Sequence, residues 1–338
     1  MNSVCIETPG NIYIKQIAVP VPKEGEALIR VKSAGICGSD IGAYRGTNGL
    51  VSYPRVIGHE IAGEIVSIGE NKKGLKAGDR VVVDPYLFCG NCYPCSIGRT
   101  NCCNDLHVLG VHVDGGMTEL ITHPADMLVP IPENIPWDIA PISEPLTISL
   151  HGCHRLGLKA GETVAISGAG TIGLLAALVA LAYDAKPILI DMVEERLAFA
   201  RELGVKMTVN LQTENLLEKV KEYTDGRMCE CVMEASGANS AIRSTLDLVC
   251  HAGRVVFTGW PARETSLPTD IITRKEIDIR GARTSAGEFE EALELISTGK
   301  VDVRKILTKL VSVQEAPEVL MDIAANPGNY LKVNVMFD

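Results

Sequence analysis

The sequence predicts an α/β protein in two parts, a β-rich first part and a doubly wound parallel sheet behind it. Three observations carry this. Short Val- and Ile-rich runs bounded by Gly, Pro and Asp fill residues 1–147. From 148 to 283, apolar strand-like runs alternate with helical stretches, the pattern of a parallel sheet with helices on both faces. A glycine-rich turn, Gly168-Ala169-Gly170-Thr171-Ile172-Gly173, stands between the first of these strands and its helix.

In the first part, 27–32, 60–68 and 80–83 read as strands, separated by turns such as Lys23-Glu24-Gly25 and Ala77-Gly78-Asp79. Helical periodicity is scarce before Pro141. Cys89, Cys92, Cys95 and Cys103 form a Cys-x-x-Cys-x-x-Cys-x7-Cys loop, with Gly90, Pro94 and Gly98 as turn residues. Four thiolates at such spacing can converge about 2.3 Å from one Zn²⁺ in a tetrahedron. Cys102 adjoins Cys103 and could be confused with it, but the seven-residue gap favours Cys103.

Upstream lie Cys37, in Gly35-Ile36-Cys37-Gly38-Ser39-Asp40, and the pair His59-Glu60; Glu144 stands in Ser143-Glu144-Pro145-Leu146. Thiolate, imidazole and carboxylate suit Zn²⁺ with one position left open. Singly, each has a duller explanation: a core thiol, a satisfied histidine, an acid at a helix start. Their company with the four-cysteine loop favours the metal. One thiolate and one carboxylate neutralise the ion, so only one of Glu60 and Glu144 is expected to bind at a time.

In the second part, 163–167, 187–191, 231–234, 254–258 and 277–281 read as strands, with helices over 171–183 and up to Gly204. Gly168 permits the tight turn, Gly170 lets the backbone approach a pyrophosphate, and Gly173 lets helix pack on strand. Thr171 and Ile172 open the helix whose N-terminus favours phosphate. Asp191, 18 residues beyond Gly173, suits a ribose and repels a 2′-phosphate, which favours NAD over NADP. It could also start the next helix together with Glu194. Arg196 is a weaker candidate beside it, the alternative being a solvated helix charge. Ser236, Thr258 and Gly259 complete the cofactor-binding candidates.

The segment 284–338 holds a helix near 288–297 and a closing strand over 330–337, and is expected to return to the first part. Lys332 there reads as a surface lysine. His151 and His154 receive no role, and Cys5, Cys153, Cys229, Cys231 and Cys250 read as small buried hydrophobes.

Bulk properties bound the rest. At 338 residues with 46% hydrophobic content, the chain can bury a large core, filled by aliphatic side chains because only 4% is aromatic. A net charge of −10 argues against a nucleic-acid partner. No apolar run reaches the roughly 20 residues of a membrane span. The first ten residues lack the charged and apolar regions of a signal peptide. Eleven cysteines in a chain without an export signal point to metal binding in a reducing cytoplasm.

The Gly58-His59-Glu60 motif, the cysteine loop, the Glu144-Pro145-Leu146 segment and the glycine-rich turn occur in the order found in zinc-dependent medium-chain dehydrogenases. The chain resembles that zinc alcohol dehydrogenase family over essentially its full length. The resemblance implies a GroES-like catalytic domain with a structural zinc lobe at 1–147, and a Rossmann NAD-binding domain at 148–283. A segment at 284–338 would return to the catalytic domain. It implies two zinc ions per subunit, NAD as cofactor, and oxidation of an alcohol with hydride passing to the nicotinamide. Cys37, His59 and Glu60 or Glu144 match the catalytic metal ligands, and Ser39 matches the hydroxyl that takes the substrate proton. The family often has a histidine five positions after the cysteine, where this chain has Gly42. Homodimers or homotetramers are implied.

Glutamates at the zinc sites look more like polyol and threonine dehydrogenases than simple alcohol dehydrogenases. The segments 98–103 and 110–116 look most like the branch oxidising sugar acids, the L-galactonate and L-gulonate 5-dehydrogenases. A sugar acid calls for a guanidinium on its carboxylate. Arg283 is the best candidate, with Arg55 and His112 weaker. L-Threonine 3-dehydrogenase or a diol dehydrogenase is the nearest rival, and a dinucleotide-binding regulatory protein with little turnover is the rival from another class.

Overall fold

The computed structural model describes residues 1–337. It forms two compact units, one of 1–144, 289–298 and the chain from 302 onward, the other of 145–288 and 299–301.

The first unit runs β1 (Asn2–Thr8), β2 (Asn11–Gln16), β3 (Glu26–Ile36), α1 (Gly38–Arg45), β4 (Arg55–Val56), β5 (Glu60–Ile68), β6 (Arg80–Val83), β7 (Tyr86–Leu87), α2 (Tyr93–Ser96), β8 (His107–Val108), β9 (Leu120–Pro124) and β10 (Leu128–Pro130). Alternation places Ala27, Ile29 and Val31 of β3 in the core while Arg30 faces out. From Ser33 to Ile36 the same strand is buried at every position, because both of its faces are covered. Helix α1 is missed by periodicity, since eight residues carry no clear apolar stripe. Its start is fixed by a reciprocal cap, with Cys37 Sγ accepting from the Asp40 N–H and the Asp40 carboxylate accepting from the Cys37 N–H. Gly46, left-handed at φ 71°, closes it.

His123 of β9 is buried, and its Nε2 donates to the Asp84 carbonyl at 2.8 Å, which places a ring proton on Nε2. Burial holds its pKa down to about 4. The unfolded chain therefore takes up this proton first, and stability is lost as pH falls from about 6.5 through about 4. At 1.36 kcal/mol per unit the loss approaches roughly 3 kcal/mol. Denaturant melts across that window should show it, and His123→Gln, which keeps a donor and cannot charge, should flatten the slope.

The second unit begins within α3 (Ser143–Leu156) and continues β11 (Thr163–Ser167), α4 (Thr171–Ala182), β12 (Lys186–Asp191), α5 (Glu194–Glu202), β13 (Met207–Asn210), α6 (Leu216–Tyr223), β14 (Cys229–Glu234), α7 (Asn239–Leu248), β15 (Val249–Phe257), α8 (Thr269–Lys275) and β16 (Asp278–Gly281). All six strands are parallel, in the order β13-β12-β11-β14-β15-β16. This is the doubly wound order, with its reversal between β11 and β14. Every residue of β11 is buried, as a central parallel strand requires.

The chain returns to the first unit through α9 (Phe289–Ser297), β17 (Leu307–Ser312), α10 (Ala316–Ala325) and β18 (Lys332–Met336). Strand β18 pairs antiparallel with β3, Val333 opposite Ile36 and Met336 opposite Ser33. It completes a seven-stranded sheet in which β5 flanks β3 on the other side.

Candidate metal centre and dinucleotide turn

Cys37 ends the β3 crossing and opens α1, and His59-Glu60 enter β5, the neighbour of β3. Asp40 ties the two segments together, accepting from Cys37 N at 2.9 Å and from Gly58 N at 3.4 Å. Gly35 stands opposite Glu60 in the ladder, and a Cβ there would lie 1.8 Å from Glu60 Oε2. The missing side chain is the room that Glu60 occupies. The result is that ligand atoms of Cys37, His59 and Glu60 all lie within 4.8 Å of one another, with His59 and Glu60 buried.

Glu144 is not in that set. It is buried in the first turn of α3, where its Oε1 accepts from the Tyr86 hydroxyl. Ser39, in the first turn of α1, has a buried Oγ with no hydrogen-bond partner. Gly42 lies one turn on, where a Cβ would meet Asn48 Cβ at 3.4 Å and Thr47 Oγ1 at 3.6 Å.

Lys332 corrects the sequence reading. It is 3% exposed, its ammonium pairs with Glu60 Oε2, and it donates to the Ile36 carbonyl at 3.0 Å. Burial pulls its pKa down, yet Glu60, Cys37 and Glu144 push harder and raise it on balance. His59 behaves alike: burial lowers it, but Cys37, Asp40 and Glu144 carry it well above the imidazole range. Burial also raises Asp40 and Glu144. The Cys37 thiol and the Asp40 and Glu144 carboxyls gathered around one imidazole make this interior negative. His59 Nδ1 and Glu60 Oε1 are buried without hydrogen-bond partners. A sulfur donor beside nitrogen and oxygen donors that lack hydrogen-bond partners fits a divalent zinc ion.

The cysteine loop forms a second, separate set. Cys92 Sγ lies 3.4 Å from Cys95 Sγ and 3.8 Å from Cys103 Sγ, and Cys103 Sγ lies 3.4 Å from Cys89 Sγ. A tetrahedron of radius about 2.3 Å has edges of about 3.8 Å, and a disulfide would be about 2.05 Å. Amides of Cys89 and Asp105 donate to Cys103 Sγ, each at 3.3 Å. The amides of Asn104 and Cys95 bring Cys92 down to about 6. Such N–H donors favour thiolate over thiol, the state a metal requires. Cys102 is exposed and outside the set.

In the second unit, Gly168 is left-handed at φ 102°, and a Cβ on Gly173 would lie 1.8 Å from the Gly168 carbonyl oxygen. A Cβ on Gly170 would meet nothing within 4 Å, although Gly170 caps α4 with no side-chain partner. An open cradle at a helix N-terminus fits a pyrophosphate. Asp191 accepts from Ala169 N at 2.6 Å, Met192 N at 2.7 Å and Val193 N at 2.9 Å, which fixes both the turn and the carboxylate. Arg196, half-buried on α5, has a buried Nε with no hydrogen-bond partner. Ser236, Thr258 and Gly259 gather around the buried Glu234, to which each is hydrogen bonded. Sequence reasoning passed over Glu234 because a strand-end glutamate carries no mark of burial.

The three substrate candidates stand apart in character. Arg283 follows β16 and is half-buried. Arg55 is buried and committed, its Nη1 3.1 Å from Asp114 and its Nη2 2.7 Å from Ser52. His112 accepts from Val108 N through Nδ1 at 3.1 Å and meets His107 edge-on.

The two turn glycines should separate by experiment. Gly173→Ala drives a methyl into backbone and should lower stability by about 1–3 kcal/mol. Gly170→Ala has room in the protein and should keep its melting temperature, while dinucleotide affinity falls about tenfold, or about 1.4 kcal/mol. Calorimetric melting and dinucleotide titration of both variants read the contrast.

The model of the alcohol dehydrogenase GroES-like domain matches residues 23–133, and that of the zinc-binding dehydrogenases matches 171–298. A zinc-type alcohol dehydrogenase-like protein of Haemophilus influenzae is 52% identical, covering 100% of this chain and 99% of its own. L-Galactonate-5-dehydrogenase of Escherichia coli is 37% identical, covering 91% of each. A solved E. coli alcohol dehydrogenase in complex with NADH is 35% identical, with a TM-score of 0.94 over 100% of this chain and 99% of its own. Resemblance in motif, sequence and fold therefore agrees, and the chain belongs to the zinc-dependent medium-chain alcohol dehydrogenase family.

Proposed function

We propose that this protein oxidises a secondary alcohol of a sugar acid or polyol with NAD, at carbon 5 of an L-gulonate- or L-galactonate-type substrate. The observation that carries the reading is the convergence of Cys37, His59 and Glu60, whose ligand atoms all lie within 4.8 Å of one another with His59 and Glu60 buried. When bound, zinc supplies Lewis acidity toward a substrate hydroxyl and NAD supplies the hydride acceptor. Cys37, His59 and Glu60 would hold the metal, and the four lobe cysteines a second, structural ion.

The rest falls to side chains. Ser39 Oγ, buried and unpartnered, is the group to accept the substrate proton. With Gly42 in the position of the relay histidine, that proton reaches solvent past Thr47 and Asn48 or by water. Gly168, Gly170, Thr171, Ile172 and Gly173 bind the pyrophosphate. Asp191 and Arg196 take the adenosine ribose, and Ser236, Thr258 and Gly259 line the strand ends toward the rest of the cofactor. Asp191 disfavours a 2′-phosphate, hence NAD. Arg283, which follows β16, is the guanidinium for a substrate carboxylate, with Arg55 and His112 as weaker candidates. The relation to an L-galactonate dehydrogenase supports the sugar-acid assignment. Eleven thiols without a disulfide among the described residues suit a reducing cytoplasm.

The test is NAD reduction with L-gulonate, L-galactonate, sorbitol, threonine and butanediol, with and without chelator. A chelator-sensitive preference for a sugar acid is expected, and Arg283→Ala should cost more than threefold in kcat/KM, above roughly 0.7 kcal/mol. Preference for threonine or butanediol would transfer the protein to the rival reading, and no turnover of any substrate would favour a regulatory role.

A further inference from the structure

Tyr86 joins two sites that the sequence treats as separate. Its ring is 5% exposed and forms the core of the cysteine lobe with Cys103 and Leu106, against Cys92, Cys95 and Val108. Strand β7 fixes its height by pairing Tyr86 with Val108 of β8, and its own amide donates to Asp84 Oδ1 at 3.2 Å. From that seat the phenol hydroxyl donates to Glu144 Oε1, a contact buried on both sides and 58 residues distant in sequence. Glu144 is near enough for its charge to act on His59 and Lys332, yet it lies outside the Cys37–His59–Glu60 set.

We propose that Tyr86 is a positioning residue that holds Glu144 out of the donor set, so that the ordered cysteine lobe decides which carboxylate reaches the catalytic metal. The inference rests on the reading of Cys37, His59 and Glu60 as that metal's ligands. A buried carboxylate beside a divalent ion is drawn toward it by charge unless something else claims its oxygens. A second carboxylate in the set would turn the centre net negative, bind the ion more tightly and weaken it as a Lewis acid. The tyrosine hydroxyl supplies the competing claim, and the lobe supplies the rigidity that keeps the hydroxyl in place.

Tyr86→Phe isolates the hydroxyl and leaves the ring in the lobe core. Both proteins are loaded with Co²⁺ in place of zinc, their metal content is measured, and visible spectra and the rate of metal removal by a chelator are recorded. Both should hold two ions. The variant should show weaker visible bands, as a higher coordination number produces, and slower release of the catalytic ion. With zinc, its kcat should fall about 10- to 100-fold. A merely structural role would loosen the metal and lower activity together, whereas this role moves them in opposite directions. Unchanged spectra and release, or faster release, overturn it. If the unaltered protein takes up cobalt in the cysteine lobe alone, the ligand assignment itself fails, and this inference fails with it.

Discussion

Cys37→Ala is expected to leave one metal ion per chain in place of two and to lower kcat/KM by about 10⁴-fold. At 1.36 kcal/mol per decade this is roughly 5.5 kcal/mol of lost transition-state stabilisation. Cys37 is the sulfur donor of the set with His59 and Glu60, and its side chain also caps α1. Without it, one imidazole and one carboxylate remain, too few to hold zinc against water with a position left open. The helix cap costs only about 1 kcal/mol, so the fold should survive. Elemental analysis together with NADH formation reads both effects. Cys89→Ser should remove the other ion, and comparing the two variants assigns each metal to its loop. Retention of two ions and near-normal turnover in Cys37→Ala would exclude the assignment.

How much of this could be read from the chain differs between its parts for physical reasons. Parallel strands buried on both faces leave unbroken apolar runs, so β11 falls where the sequence places it, at Thr163–Ser167. The glycine turn is legible because each glycine answers a local demand, and the four cysteines because their donors lie within 15 residues of one another. The residues that were missed answer demands made from far away. Gly35 is small because Glu60 lies across the ladder, and nothing in its own neighbourhood shows it. Tyr86 looks like any strand aromatic until Glu144 is folded against its hydroxyl. Helix α1 escaped because a cap, and no apolar stripe, defines it.

Lys332 is the plainest case, because its partner is 272 residues away and its position near the chain's end reads as exposed. Its side chain is 3% accessible and that of Glu60 1%, so neither charge has water to fall back on. Lys332→Met is therefore expected to destabilise the metal-free protein by about 3–5 kcal/mol, the cost of stranding one member of a buried ion pair. Denaturant unfolding after chelator treatment measures it. Lys332→Met combined with Glu60→Gln should recover most of the loss, since no lone charge then remains. The metal-loaded single variant should suffer less than the stripped one, because the ion supplies the positive charge that the lysine gave. That ordering separates two functions the lysine could have. If it served only to fill space, methionine would replace it at little cost in every state. A cost that is large without metal and small with it shows the ammonium to be a stand-in cation, which keeps Glu60 folded into the site until zinc arrives.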